Sequence, residues 1–237
     1  MSSSPRAASA LEAVARLDEV TRRLRRECPW DREQDERTIV PHTVEEAYEL
    51  ADAAYRGDDG RLLDELGDVL FQVEFLALLL EERGAGDLGA VADHCVQKLI
   101  RRHPHVFGSL EVSSADEVLR NWDQIKRDEQ GREPGLFGDV PETLPALLYA
   151  RKLLRRAGVS AAEGSVEAVR ARVAGLEGVD TPEAQFERLG DVLFELVALA
   201  RRLRVDPELA LRAAAGRFRE RALEEAAASG VSGEERA

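Results

Sequence analysis

Apolar residues recur along most of this chain at spacings of three and four, which is the pattern of amphipathic α-helices. The first such stretch covers residues 10–28 and ends at Pro29, and the segment after it reads as a connection with one short helical turn. A second helix is predicted over 43–56 and a long third helix over 61–83. Because only four residues connect them, these two helices should pack as antiparallel neighbours.

The same spacing continues through the rest of the chain. A fourth helix is predicted over 87–102, and its inward apolar residues are Val91, Cys95 and Leu99. Ser114 and Glu117 form a capping-box pattern ahead of a fifth helix. Four more helices are predicted over 142–157, 164–176, 182–204 and 206–224. No run of alternating β-branched residues competes with this pattern, so the predicted fold class is all-α.

The sequence LGDVLF occurs twice, at 66–71 and 189–194, each time early in a long predicted helix that follows a shorter one. This repeat favours two related all-α units. The stretch between them is rich in Gly, Pro and charge, which is typical of a linker. The predicted organisation is a disordered N-terminus (1–9), a first domain (10–130), a linker (131–145), a second domain (146–226) and a disordered tail (227–237).

The composition of the 237-residue chain limits what it binds. Its 33 basic and 46 acidic residues give a formal charge of −13, which argues against broad affinity for nucleic acid or anionic membranes. Cys28 and Cys95 form no CxxC pair, which argues against structural zinc and is typical of a reducing compartment. There is neither an apolar run long enough to cross a bilayer nor the apolar stretch of a signal peptide. The expected location is the cytoplasm.

Two of the predicted helices each carry a pair of carboxylates three residues apart. The second helix has Glu46 and Glu49, and the third has Glu65 and Asp68, beside its apolar stripe. Packed antiparallel, the helices could bring four carboxylates to one point, where two like charges about 4 Å apart repel by roughly 4 kcal/mol at an effective dielectric of about 20. A cation would relieve this repulsion, and an all-oxygen ligand set suits Mg²⁺ or Mn²⁺.

The same residues also allow plainer interpretations. The sequence TVEE, from Thr43 to Glu46, is itself a capping-box pattern, so Glu46 can be read as a helix cap. Glu45 and Asp52 can be read as solvated surface charges. A di-iron carboxylate site is disfavoured, because none of the four histidines has Glu or Asp three residues before it.

Five segments carry a resemblance to a known family: CPWDREQ, VEEAYEL, DELGDVLFQ, KLIRRHPHVFG and NWDQIK. The acids within them follow the pattern EExxE, a spacer and ExxD, formed by Glu45, Glu46, Glu49, Glu65 and Asp68. In these features the chain resembles the MazG family of all-α nucleoside triphosphate pyrophosphohydrolases, strongly over 11–130 and more weakly beyond. The resemblance implies tandem MazG-like helical bundles.

The resemblance also implies an activity, the Mg²⁺-dependent hydrolysis of a nucleoside triphosphate to the monophosphate and pyrophosphate. It assigns metal ligation to Glu46, Glu49, Glu65 and Asp68. Glu45 is then left to act as general base or to orient the attacking water.

The resemblance further implies a set of residues that bind substrate. Those expected at the phosphates are Lys98, Arg102 and Lys126, and Trp122 is expected near the base or ribose. Trp30 and Gln34 are candidates for the base pocket. Packing in the core is the alternative role for both tryptophans, and a cationic helix C-terminus is the alternative for Arg102.

The second copy of the repeat lacks most of the acids. Asp191 is kept, but Arg188 stands at the position that matches Glu65. The positions that match Glu45, Glu46, Glu49 and Lys98 hold Ala171, Arg172, Gly175 and Arg217. The apolar residues persist, and the helical spacing predicts burial of Leu189, Val192, Leu193 and Leu196. One aspartate among arginines cannot hold Mg²⁺ as four acids can, so the second domain is predicted to be folded and noncatalytic.

These observations predict an enzyme with one active site per chain, in its first half, that removes unwanted nucleotides from the cellular pool. A helical unit of this size leaves apolar faces uncovered, so a homodimer is expected. The alternative from another class is a noncatalytic regulatory protein that binds nucleotides or a partner. A second enzymatic alternative is a narrow dUTP or dCTP pyrophosphatase on the same fold.

Overall fold

A computed structural model describes residues 5–129, 135, 137, 140–160, 163–178 and 181–228. The described residues form eleven α-helices and no β-strand, which confirms the all-α prediction. None of these helices is both long enough and apolar enough to cross a membrane. The predicted disordered ends lie partly outside the described residues, whereas 5–9 and 227–228 are helical.

The chain divides into two compact units, 1–126 and 127–237. The helices of the first are α1 (Pro5–Glu27), α2 (Pro29–Glu33), α3 (Glu36–Arg56), α4 (Asp59–Glu82), α5 (Leu88–Arg102), α6 (Pro104–Phe107) and α7 (Ala115–Asp128), the last of which extends two residues beyond the division. The helices of the second are α8 (Ala146–Arg156), α9 (Val166–Ala174), α10 (Pro182–Arg202) and α11 (Pro207–Ala228).

Helix α3 begins seven residues earlier than the sequence pattern predicts. The carboxylate of Asp35 accepts hydrogen bonds from the backbone N–H groups of Arg37 and Thr38, and the Thr38 hydroxyl accepts one from the Asp35 backbone. This capping box starts the helix, which continues through Pro41 although proline removes one backbone donor. The prediction of a helix start at Thr43 is therefore wrong, because Thr43 lies inside α3.

Helices α3 and α4 form a hairpin that places the acidic residues. Gly57 ends α3 in the left-handed conformation, with a φ of 69°, and the Asp58 carboxylate caps α4 by accepting from two backbone N–H groups. The two helices pack along each other, and they share a core of Ile39, Phe75 and Leu79. Helix α1 is held to the end of α4 by ion pairs from Arg22 to Glu81 and from Arg25 to Glu82.

The acids lie on the packed side of α4, not at the edge of its apolar stripe. At 100° per residue, Glu65, Asp68 and Gln72 share a side with the buried Phe75 and Leu79. The prediction that apolar residues of α4 bury a stripe next to the acids is wrong for Leu66, Leu70 and Val73, which are exposed and lie roughly opposite. Helix α3 therefore covers the acidic side of α4.

The same correction applies to two other helices. The predicted inward residues that are exposed in the single chain are Val91, Cys95 and Leu99 on α5, and Leu189, Leu193 and Leu196 on α10. Of the apolar residues predicted to be buried on α10, Val192 is buried. Periodicity identifies an apolar face, but it does not say whether the same chain covers that face.

Helix α4 also buries a carboxylate that the sequence analysis did not single out. Glu74 is 2% exposed and lies close to a second carboxylate, that of Asp18 on α1. Burial raises the pKa of Glu74, and the nearby charge of Asp18 raises it further. The matching position in the second unit, counted from the LGDVLF repeat, is the fully buried Val197. The buried position of Glu74 is thus compatible with an uncharged side chain.

We expect Glu74→Gln to stabilise the protein at neutral pH by about 1–2 kcal/mol, because it removes a buried charge that lies close to a second carboxylate. The pKa of Glu74 is raised in the folded state, so its contribution to stability is complete below the unfolded pKa and is lost as the pH rises through the folded pKa. The advantage of the variant should therefore grow from acidic to neutral pH. Urea unfolding at several pH values measures it.

The matched control is Glu12→Gln, on the exposed surface of α1. It should show no comparable difference from the wild type. An advantage of Glu74→Gln that does not change with pH would contradict the assignment of the effect to this carboxylate.

Candidate active site

Three of the four predicted metal ligands come together between α3 and α4. One carboxylate oxygen from each of Glu46, Glu49 and Glu65 lies within 4.8 Å of the others. Glu65 is buried at 6% exposure, Glu46 is partly buried and Glu49 is exposed. We call these three residues the acid cluster. Two short spacings in the sequence, carried on adjacent helices, become one site in three dimensions.

Asp68, the fourth predicted ligand, stands at the edge of the acid cluster. It is exposed, one turn after Glu65 on α4. Burial raises the pKa of Glu46, and the charges of Asp68 and Glu49 raise it further, so Asp68 is close enough to act on Glu46. The electrostatic effect supports the inclusion of Asp68 in the same site.

The acid cluster is incompletely neutralised by the protein. The pKa of Glu65 is raised by burial and then by the charge of Glu49, while Arg61 opposes this effect. The Arg61 guanidinium is 3.9 Å from one Glu65 oxygen, and the other oxygen, Oε2, is buried with no hydrogen-bond partner among the described residues. A divalent cation would satisfy such an oxygen and offset the mutual repulsion, so these residues fit a Mg²⁺-type ion.

The helix-cap interpretation of Glu46 does not apply. Helix α3 begins at Glu36 and is capped by Asp35, so Glu46 lies near the middle of the helix. A carboxylate at that place has no orphan N–H group to accept from. Glu46 is therefore not a cap of α3.

Glu45, the predicted general base, lies beside the acid cluster on the exposed side of α3. Its carboxylate is 3.3 Å from the Nδ1 atom of His42, and the ring of His42 meets that of Trp30 edge-on, with 5.7 Å between centroids. Gln34 donates to the backbone carbonyl of Trp30. The structure therefore brings Trp30 and His42 to the helical turn of Glu45. His42 was missed in the sequence, although its spacing of three from Glu45 was a usable signal.

The predicted phosphate-binding residues form a group on α5 and α7. The guanidinium carbon of buried Arg102 is 5.6 Å from the centre of the Trp122 ring, and Lys126 Nζ is 4.4 Å from it. Lys98 lies one turn before Arg102 on α5 and is partly buried. Trp122 is thus in contact with two cations, and its role toward substrate stays a prediction.

Known proteins share long stretches of this sequence. Residues 34–107 match the family model described as the MazG nucleotide pyrophosphohydrolase domain. A nucleoside triphosphate pyrophosphohydrolase of Escherichia coli (strain K12) is 37% identical over 227 residues, covering 89% of this chain and 86% of that protein. The chain belongs to the MazG family. It is therefore a hydrolase of the nucleotide pyrophosphohydrolase class.

Two further similar proteins come from Thermotoga maritima. The nucleoside triphosphate pyrophosphohydrolase/pyrophosphatase MazG of Thermotoga maritima is 38% identical over 200 residues, which is 82% of this chain and 77% of that protein. The crystal structure of a mazG-related protein from Thermotoga maritima aligns with 47% of this chain and 97% of its own, at TM-score 0.41 and 28% identity. The MazG family match spans the whole acid cluster together with Glu45 and Asp68.

The second copy of the repeat in this MazG protein has an ion pair and a further arginine where the first has acids. Arg172, at the position matching Glu46, is 3.4 Å from Asp191, which matches Asp68. Arg188 Nη1 lies 3.9 Å from the place that a Cβ atom on Gly175 would occupy. The packing of α9 against α10 thus persists without the carboxylates. The arginine that pairs with Asp191 in the structure is Arg172.

Proposed function

We propose that this MazG protein hydrolyses nucleoside triphosphates to nucleoside monophosphates and pyrophosphate, with Mg²⁺, at one active site in its first unit. The observation that carries the proposal is the convergence of three carboxylate oxygens within 4.8 Å, one residue of which has a buried oxygen without a partner among the described residues. The relatives named above as nucleoside triphosphate pyrophosphohydrolases support the same substrate class.

The residues proposed to hold the ion are the acid cluster and Asp68. Oxygen ligands favour Mg²⁺, and Mn²⁺ is the closest substitute. When bound, the ion neutralises phosphate charge and lowers the pKa of a bound water. The carboxylates must be deprotonated to bind it, and the pKa values of Glu46 and Glu65 are raised. Metal binding should therefore weaken on acidification at a higher pH than ordinary surface glutamates would require.

The protein's own contribution to the chemistry is assigned to Glu45. Its carboxylate accepts a proton from the water that attacks the α-phosphorus. The bond from that phosphorus to the bridging oxygen of the β-phosphate breaks, and pyrophosphate leaves with the bonding electrons. His42, 3.3 Å from Glu45, restricts the direction of the carboxylate.

The cationic residues are proposed to hold the phosphates. Lys98, Arg102 and Lys126 bind them, with Trp122 near the base or ribose. Trp30, half exposed beside His42, and Gln34 are proposed for the base pocket. A flat aromatic face accepts every base, which suits an enzyme that clears damaged or non-standard nucleotides from the pool.

The second unit is proposed to be a noncatalytic MazG-like copy. The exposed ion pair of Arg172 and Asp191 supports this, because Arg172 stands where the first unit has Glu46. We keep the domain boundaries at 10–130 and 146–226, with a linker at 131–145 between them.

A homodimer in the cytoplasm is the proposed working form. The exposed apolar residues Leu66, Leu70 and Val73 on α4 support a second copy as the covering partner. The unpaired Cys28 and Cys95 support a reducing compartment, and the charge of −13 supports the absence of nucleic-acid and membrane partners.

The test is pyrophosphate release from a panel of standard, deaminated and oxidised triphosphates, with Mg²⁺ and with chelator. We expect release with Mg²⁺ alone and comparable kcat/KM values across several bases. Nucleotide binding without release would favour the noncatalytic regulatory alternative. Activity confined to dUTP or dCTP would favour the narrow pyrophosphatase.

A further inference from the structure

A polar contact links α3 to α4, one turn from Glu46 on α3 and one turn from Asp68 on α4. The Thr43 hydroxyl oxygen is 3.4 Å from Oε1 of Gln72, and the Gln72 side chain is buried at 6% exposure. The same hydroxyl is also 3.4 Å from the carbonyl oxygen of Ile39, so its single proton is shared between two acceptors. Of these two acceptors, Ile39 lies on α3 with Thr43, and Gln72 lies on α4.

The position of this contact relates it to the acids. Thr43 precedes Glu46 by three residues on α3, and Gln72 follows Asp68 by four on α4. Each partner therefore lies on the helical face that carries the carboxylates. The contact joins the two helices at a fixed register, next to the place where their like charges oppose each other.

The second unit provides an internal comparison. By the alignment used for the acids, Val169 stands at the position of Thr43, and Glu195 at the position of Gln72. Helices α9 and α10 pack against each other without this pair, and without the acids. Helix packing in the second unit thus does not depend on this polar contact, which occurs in the unit that has the acid cluster.

We propose that Thr43 and Gln72 are positioning residues, which hold α3 and α4 at the separation and register that the acid cluster needs to bind its cation. Charge repulsion between Glu46 or Glu49 on one helix and Glu65 on the other drives the helices apart when the site is metal-free. The partly buried contact between Thr43 and Gln72 opposes this. This role rests on the proposed function of the acid cluster as a metal site.

The test is Thr43→Val, which keeps the side-chain shape and introduces the residue found in the second unit. We measure Mg²⁺ binding by calorimetry without nucleotide, and the Mg²⁺ concentration for half-maximal pyrophosphate release. Loss of a group that orients metal ligands should weaken Mg²⁺ binding by about 10- to 100-fold. Thr43→Ser, which restores a hydroxyl, should recover most of the affinity.

The matched control is Thr21→Val on α1. Thr21 is also buried, and its hydroxyl donates to the backbone carbonyl of Leu17, remote in sequence from the acids. It should leave Mg²⁺ affinity unchanged. Gln72→Leu should weaken Mg²⁺ binding as Thr43→Val does, and the double variant should be no weaker than the single ones. Gln72→Leu carries the test if Thr43→Val does not fold.

Unchanged Mg²⁺ affinity in both Thr43→Val and Gln72→Leu would overturn the positioning role and leave the proposed activity standing. Additive losses in the double variant would also overturn it, because independent effects do not require a contact between the two side chains. A wild-type protein that binds Mg²⁺ but releases no pyrophosphate would instead contradict the proposed activity. The two failures are therefore distinguishable.

Discussion

Glu49→Ala should lower the rate of pyrophosphate release by on the order of 10²-fold or more, which is the scale of loss when a charge-stabilising group is removed from an active site. Glu49 supplies one of the three converging oxygens of the acid cluster. The fold should survive, because Glu49 is exposed and its removal relieves repulsion on Glu46 and Glu65. The measurement is kcat at saturating Mg²⁺ and triphosphate, with helicity and Tm recorded for the same sample.

Asp52→Ala is the matched control for this experiment. Asp52 follows Glu49 by one turn on α3, and it pairs with Arg56 at 2.9 Å instead of joining the acid cluster. Removal of the Asp52 carboxylate should leave kcat close to the wild-type value, because Asp52 is not part of the acid cluster. Stability should change little as well, since an exposed ion pair contributes about 0–1 kcal/mol. Equal activity in the two variants would refute the metal-site assignment of Glu49.

Leu70→Asp should convert a dimer into a monomer and reduce thermal stability. Leu66, Leu70 and Val73 lie along one side of α4, between 39% and 49% exposed in the single chain. A charge in the centre of an apolar interface must be desolvated without a partner, which costs several kcal/mol. Analytical ultracentrifugation of the wild type and the variant at the same concentration provides the measurement.

The control for the interface is Leu11→Asp, at a residue on α1 that is 66% exposed. It should remain as dimeric as the wild type. A monomeric wild type, or a Leu70→Asp variant that stays dimeric, would show that a second copy does not cover this face of α4.

The sequence predicted the helices well where two signals coincide. The predicted helices over 61–83 and 87–102 have both apolar periodicity and residues that end the preceding element. They correspond to α4 and α5 and were placed within a few residues. The start of α3 was missed, because the segment before Thr43 was interpreted as a connection, whereas Asp35 and Thr38 form a capping box within it. A local hydrogen-bonded cap outweighed the loss of one backbone donor.

The acid cluster was predictable because it depends on local spacing and on one short connection. Gly57 and Asp58 fix the hairpin, and the hairpin brings Glu46 and Glu49 to Glu65. Contacts with distant helices or with another chain cannot be predicted from local spacing in this way. Nothing in the spacing of Leu66 and Leu70 says which chain covers them.

Buried polar groups were the other feature beyond the reach of periodicity. Glu74 and Gln72 look like ordinary surface residues in the sequence, yet the structure buries both. Their environment depends on α1 and α3, which approach α4 from different sides. By contrast, the charge reversal at Arg172 and Arg188 was visible in the aligned repeat, and the contact of Arg172 with Asp191 agrees with it.

The most direct test of a single active site compares Asp68→Ala with Asp191→Ala in the full-length chain. The two residues occupy the same place in the two LGDVLF copies, one beside the acid cluster and one beside Arg172. Under identical Mg²⁺ and triphosphate, Asp68→Ala should lose on the order of 10²-fold in kcat. Asp191→Ala should leave kcat essentially unchanged. A loss in Asp191→Ala as severe as that in Asp68→Ala would contradict the account, because it would place catalysis in the second unit as well.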